Sequence, residues 1–236
     1  MRFQSIRKVF IAVFFVFAVL SFTLASLRTL QTKPQDDINN KYTTIGNISL
    51  TVTNFGTIGK GYCGTQPSGM FPKNSGIENF WLGGLWVGGV KSGQIRVTTG
   101  AIDVSNPSKQ EGFEFFNAPG SIITEKSSLI TSPYYAPDAV SHQDFICEFY
   151  DTTTAGVQNH NPLGIKVMLE SYTYDLNFAN FFVILDYKIV NIGYNGDNSP
   201  IDSLYVGMWK DLVVRNINVT PGCNAGTSFF SKNANG

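Results

Sequence analysis

Charge, histidine and cysteine are all scarce in this 236-residue chain, and each shortage narrows what it can be. Charged side chains make up only 14% of the residues, with 17 basic against 17 acidic, so there is no electrostatic footprint for nucleic acid. The two histidines, His142 and His160, stand in loop-like sequence (Ser141-His142-Gln143-Asp144 and Asn159-His160-Asn161-Pro162). Neither is framed by G-x-S-x-G or H-E-x-x-H, so each reads as a solvated or turn-capping side chain rather than as hydrolytic machinery. The three cysteines, Cys63, Cys147 and Cys223, are an odd number at spacings that fit no zinc or haem motif. One disulfide is permitted, and burial of the thiols as small apolar side chains is the simpler expectation. A sustained apolar 3.6-residue period is also missing after residue 26, which argues against a helical protein.

What the chain does have in quantity is aromatic residues, 14%, and 23 glycines. Disordered chains show the opposite balance, so a packed core is expected. The chain opens with the basic head Met1-Arg2-Phe3-Gln4-Ser5-Ile6-Arg7-Lys8, an apolar run from Val9, and the exit Ser21-Phe22-Thr23-Leu24-Ala25. That is the layout of a secretory signal peptide spanning 1–25. Val9 to Leu24 is 16 residues. At about 1.5 Å per residue it spans roughly 24 Å, short of a bilayer core of about 30 Å, so cleavage after Ala25 is favoured over a retained anchor. Removal of Arg2, Arg7 and Lys8 leaves 14 basic against 17 acidic side chains. The processed chain is therefore expected outside the cytoplasm, secreted or at the outer cell surface, with no membrane span remaining.

Residues 26–41 are polar and unpatterned and read as a flexible leader, and 42–236 read as a β-sandwich region. Ile48-Ser49-Leu50-Thr51-Val52-Thr53 alternates apolar and hydroxyl side chains, as a strand with one dry face requires. Phe80 to Val90 is apolar with paired glycines. Four glycines would cost a helix roughly 4 kcal/mol, so a strand is the better assignment. Lys91-Ser92-Gly93-Gln94 then turns the chain into Ile95-Arg96-Val97-Thr98-Thr99, the return arm of a hairpin. Gly100 to Pro137 reads as loops with short edge strands. Strand patterns return at 144–150, 165–170 and 181–191, and 204–210 is expected to pair beside the last of these. The fold class that follows is all-β, an antiparallel sandwich of immunoglobulin-like or jelly-roll-like kind.

Candidate sites are weighed against bland alternatives. Gly59-Lys60-Gly61-Tyr62-Cys63-Gly64 satisfies G-x-G-x-x-G but leads into a loop, whereas a dinucleotide fingerprint must open a helix. Gly84 to Ser92 resembles a phosphate loop only loosely, and crowded strand glycines explain it better. No cofactor is expected. Glu148 and Glu170 are the least implausible carboxylate pair for glycoside hydrolysis, though solvent-facing strand acids explain both. Calcium is the one metal worth considering, at Asp197, Asn198 and Asp202, where turn formation is the competing role. Trp81, Trp86 and Trp209 are candidate glycan contacts, with core burial as the alternative. No catalytic residue is assigned.

Three stretches together carry a resemblance: Asn79-Phe80-Trp81-Leu82-Gly83-Gly84-Leu85-Trp86-Val87-Gly88; Asn161-Pro162-Leu163-Gly164-Ile165-Lys166-Val167; and Phe182 to Asn191 with Tyr205-Val206-Gly207-Met208-Trp209-Lys210-Asp211. Over about 42–215 the chain resembles the N-terminal β-rich region of large secreted bacterial proteins of the type IX secretion kind. The resemblance implies a signal peptide, a sandwich and export, and supplies no catalytic residues. No sorting domain follows, so the chain reads as a fragment of a longer protein. The functional expectation is a secreted or cell-surface, non-catalytic module with a structural or adhesive role. Its partners would be surface polysaccharide or other cell-envelope proteins. The alternative is a carbohydrate-binding module of an exported hydrolase.

Overall fold

A computed structural model describes residues 39–59, 66–101, 114–117, 120–154, 157 and 159–216. The expected signal peptide, most of the leader, the G-x-G-x-x-G stretch from residue 60, Cys63 and Cys223 lie outside them. Eleven strands are described, and no helix occurs among the described residues, hence none long and apolar enough to cross a membrane. They form two antiparallel sheets packed face to face, an all-β sandwich.

The first sheet is organised around β5 (Ile77–Lys91), which is 15 residues long. On one side β5 pairs in turn with β4 (Gly69–Met70), β3 (Thr57–Gly59) and β6 (Gln94–Thr99). On the other it pairs along its length with β11 (Ile201–Asn216), while β2 (Ser49–Thr53) and β1 (Asn40–Tyr42) extend the sheet beyond β3. The paired glycines of β5 have a packing reason. A Cβ on Gly84 would sit 2.5 Å from Ala101 N, and one on Gly89 would sit 2.5 Å from Ile201 Cγ2, so only glycine lets neighbours approach this closely.

The second sheet has the order β10 (Ile184–Asn191), β9 (Ile165–Thr173), β8 (Gln143–Asp151), β7 (Thr124–Lys126). Period two sets its burial. Phe145, Cys147 and Phe149 of β8 and Ile165, Val167 and Leu169 of β9 point inward and are buried, whereas Glu148, Tyr150, Lys166 and Glu170 alternate with them on the outward side. Val52, Leu85 and Val87 meet them from the first sheet, and Phe115 packs edge-on to Phe149 with ring centroids 5.0 Å apart. Each fully buried Leu, Ile, Val or Phe contributes about 1.5–3 kcal/mol relative to exposure, so this dry layer is the main source of cohesion between the sheets.

One pairing differs from the sequence reading. β11 lies against β5, not beside β10. Its register shifts between Asp202 and Tyr205, where three residues of β11 advance against two of β5, and Ser203 takes a positive φ of 51°. This bulge brings Tyr205, rather than Leu204, opposite Gly88.

Candidate functional site

The outward face of the first sheet carries an apolar groove of about 660 Å³ over β6, β5 and β11. Cross-strand register builds it. Val90 faces Ile95, Gly88 faces Val97 and Tyr205, and Trp86 faces Gly207, so the two glycines make a floor between larger side chains. Trp86 is held by its indole Nε1, which donates to the Ala101 carbonyl at 2.6 Å. Ile95 is 81% exposed and Tyr205 74% exposed, far from the usual state of such residues in a paired sheet. None of the eleven lining residues is charged, and Ser203 supplies the only hydroxyl besides that of Tyr205.

The three candidate tryptophans are placed differently. Trp86 lines the groove, and Trp209, paired with Gly84, stands two residues along β11 from the Gly207 that faces Trp86. Trp81 lies where the β5–β11 register shifts and is not a lining residue. All three are half-buried, which neither full core burial nor a free sugar-stacking platform describes.

A second assembly is polar, buried, and joins the two sheets at one end. Lys91, Arg96 and Thr98 are in phase with the core positions of β5 and β6, and Asp151 is in phase with those of β8. Asp151 is fully buried. Its carboxylate accepts from Thr98 Oγ1 (2.5 Å), Leu163 N (2.6 Å) and His160 Nε2 (2.6 Å). His160, expected in the open, is thus enclosed with a side chain only 3% exposed. The Lys91 ammonium donates to the Leu163 carbonyl (2.7 Å) and to Asn191 Oδ1 (3.0 Å). Burial pushes its pKa below the ordinary lysine value, against the attraction of Asp197. Arg96 donates to the Pro162 carbonyl (2.9 Å) and to Asp197 Oδ2 (3.1 Å). Sequence reasoning missed this set, although charged residues at core-phase strand positions were its signal.

Asp197, one of the three candidate calcium ligands, is already engaged. Its carboxylate accepts from Ser199 N (3.1 Å), Ser199 Oγ (2.5 Å) and Ser92 Oγ (3.0 Å), and these bonds, the Ser199 hydroxyl first, hold its pKa at about 2. Asp202, on β11, faces Val90 of β5 and is exposed. Among the described residues no group of three or more His, Cys, Asp or Glu is arranged to hold a metal.

Glu148 and Glu170 do share one face, the outward side of the second sheet, in diagonal register: Glu148 faces Met168 and Glu170 faces Ile146. Glu148 accepts from Tyr150 Oη (2.8 Å) and Lys166 Nζ (3.1 Å), and the Tyr150 bond foremost keeps its carboxyl below the ordinary pKa. Glu170 accepts from the Tyr172 hydroxyl and sits directly opposite Asp186. Glycoside hydrolysis needs an acid whose pKa is raised, and the tilt at Glu148 is the other way. His142 caps a turn, its Nδ1 accepting from Asp175 N at 3.0 Å. Cys147 is a free, buried thiol whose pKa burial pushes up to about 12, which makes it unreactive.

Compared with known proteins, the chain matches no family model, no curated protein sequence and no solved structure.

Proposed function

We propose that this chain is a non-catalytic β-sandwich module of an exported protein, with a structural or adhesive role in which the groove over β6, β5 and β11 seats a protein partner of the cell envelope. The observation that carries the reading is the uncharged groove itself, with Ile95 and Tyr205 held out of the core on a paired sheet face. Exposed contiguous apolar surface on a folded domain marks an interaction site. Covering a side chain such as Ile95 is worth about 1.5–3 kcal/mol, so a few such residues suffice to anchor a partner.

A carbohydrate ligand is the second reading, favoured by Trp86, Trp209 and Tyr205 lying along one face around Gly207. Sugar sites combine a stacking ring with several convergent polar groups. The lining here offers chiefly apolar carbon, with hydroxyls from Ser203 and Tyr205 alone, and therefore favours protein. The comparison is made by binding the purified chain to immobilised envelope proteins and to immobilised polysaccharides, each with Ile95→Lys and Trp209→Ala. Protein binding lost with Ile95→Lys and kept with Trp209→Ala supports the first reading. Polysaccharide binding lost with Trp209→Ala, at unchanged stability, replaces it with the second.

A further inference from the structure

We propose that Lys91 and Asn191 are the partners of a spontaneous intramolecular isopeptide bond tying β5 of the first sheet to β10 of the second. The two residues are 100 apart in sequence and come from opposite layers of the sandwich, yet Lys91 Nζ is 3.0 Å from Asn191 Oδ1. The carboxamide carbon lies one carbonyl bond, about 1.23 Å, beyond that oxygen. The carbon therefore lies within about 4.2 Å of Nζ, and a shift of about 1 Å brings the pair to the ~3–3.5 Å separation at which bound groups react.

The surroundings prepare both reactants. Lys91 has no solvent exposure, and burial favours its neutral, nucleophilic amine. Its bond to the Leu163 carbonyl (2.7 Å) aims the amine across the sandwich. The carboxamide is fixed at both ends: its Nδ2 donates to the Ser199 carbonyl (2.9 Å), and its Oδ1 accepts from Gly193 N (3.3 Å) as well as from the lysine. The Gly193 donor is placed to stabilise negative charge developing on Oδ1.

In the reaction the neutral Nζ attacks Cγ of Asn191, forming the N–C bond and moving the carbonyl pair onto Oδ1. Collapse restores the carbonyl and breaks the Cγ–Nδ2 bond. The proton given up by Nζ passes to Nδ2, which leaves as ammonia. One amide replaces another, nothing is oxidised or reduced, and no co-reactant is required. The product is a covalent strut between the sheets, in a place where the remaining inter-sheet links are hydrogen bonds and an ion pair. This inference does not depend on the groove or its partner.

Tryptic peptide mapping of the purified full chain tests it directly. A modified Lys91 resists cleavage, so the expected product is the stretch 74–96 joined to 189–210, lighter than the sum of the two by about 17 Da, the mass of one ammonia. Lys91→Arg should give only the separate peptides. Asn191→Asp should give the same cross-link with water lost instead. Cleavage after Lys91 with 189–210 at full mass overturns the proposal. So does an ammonia loss confined to unlinked 189–210, which would report cyclisation of Asn191 alone. The wild-type map decides even if a variant fails to fold.

Discussion

Replacing Asp151 by alanine is the sharpest probe of how the two sheets are joined. The carboxylate lies on β8 of the second sheet and accepts from Thr98 of the first, from the Leu163 amide and from His160. Alanine would leave three buried donors without their acceptor. Each orphaned group costs about 1–3 kcal/mol, less where a hydroxyl can rotate to another acceptor, as that of Thr98 can. Summed over the three donors, a loss of about 3–5 kcal/mol is expected. Against a whole-domain stability of about 5–15 kcal/mol this is a large fraction. With a urea slope of about 2 kcal/mol/M, the unfolding midpoint should fall by roughly 2 M at unchanged slope. Asp151→Asn keeps the shape and one acceptor oxygen and should lose about half as much. A midpoint shift below about 0.5 M for the alanine variant would show that this carboxylate does not join the sheets.

Three further outcomes are expected. Gly84→Ala places a methyl 2.5 Å from Ala101 N and should destabilise by about 1–3 kcal/mol, whereas Gly207→Ala, with nothing within 4 Å, should leave the thermal midpoint within a few degrees of wild type. Asp197 has a folded pKa of about 2 against an ordinary 3.8, so its stabilisation is complete above about pH 4 and is lost as pH falls toward 2; acid titration of the melting temperature should show this, and Asp197→Asn should flatten it. Cys147, with its thiol pushed up to about 12, should stay unlabelled by iodoacetamide at pH 8 in the native chain and be labelled in urea, as read on the tryptic peptide 127–166.

Much of the fold was legible because period two survives translation into structure. Ile165, Val167 and Leu169 read as one face and are one buried face, and the hairpin from β5 into β6 turns at Ser92 and Gly93 as its sequence suggests. Alternation reports which side a residue faces and says nothing about which strand lies beside it. That is why β11 was expected next to β10: chain neighbours pair often, and the bulge at Ser203 that fits β11 to β5 leaves no apolar signature. Alternation also fails where burial is polar. Lys91, Arg96 and Asp151 fall in core phase, but a charged side chain in a strand reads as solvent-facing unless its cross-sheet partners, 53 to 101 residues away, are already known.

The groove residues posed the converse difficulty. Trp86 was legible as a large apolar side chain of a glycine-rich strand, while Ile95, Val97 and Tyr205 read simply as strand residues, with nothing to mark their face as open. Their exposure follows from the sandwich covering only one side of the first sheet, with Arg96 and Thr98 taking the inward places of β6. Three-dimensional pairing, rather than composition, therefore made the candidate surface.

Site-specific photo-crosslinking tests that surface most directly. A photoreactive residue in place of Ile95, in the native host, should yield a discrete protein adduct that Tyr205→Lys abolishes, and the same probe at Asp186 on the outward face of the second sheet should yield none. No adduct from position 95, or equal adducts from both positions, would contradict the groove as the seat of a partner.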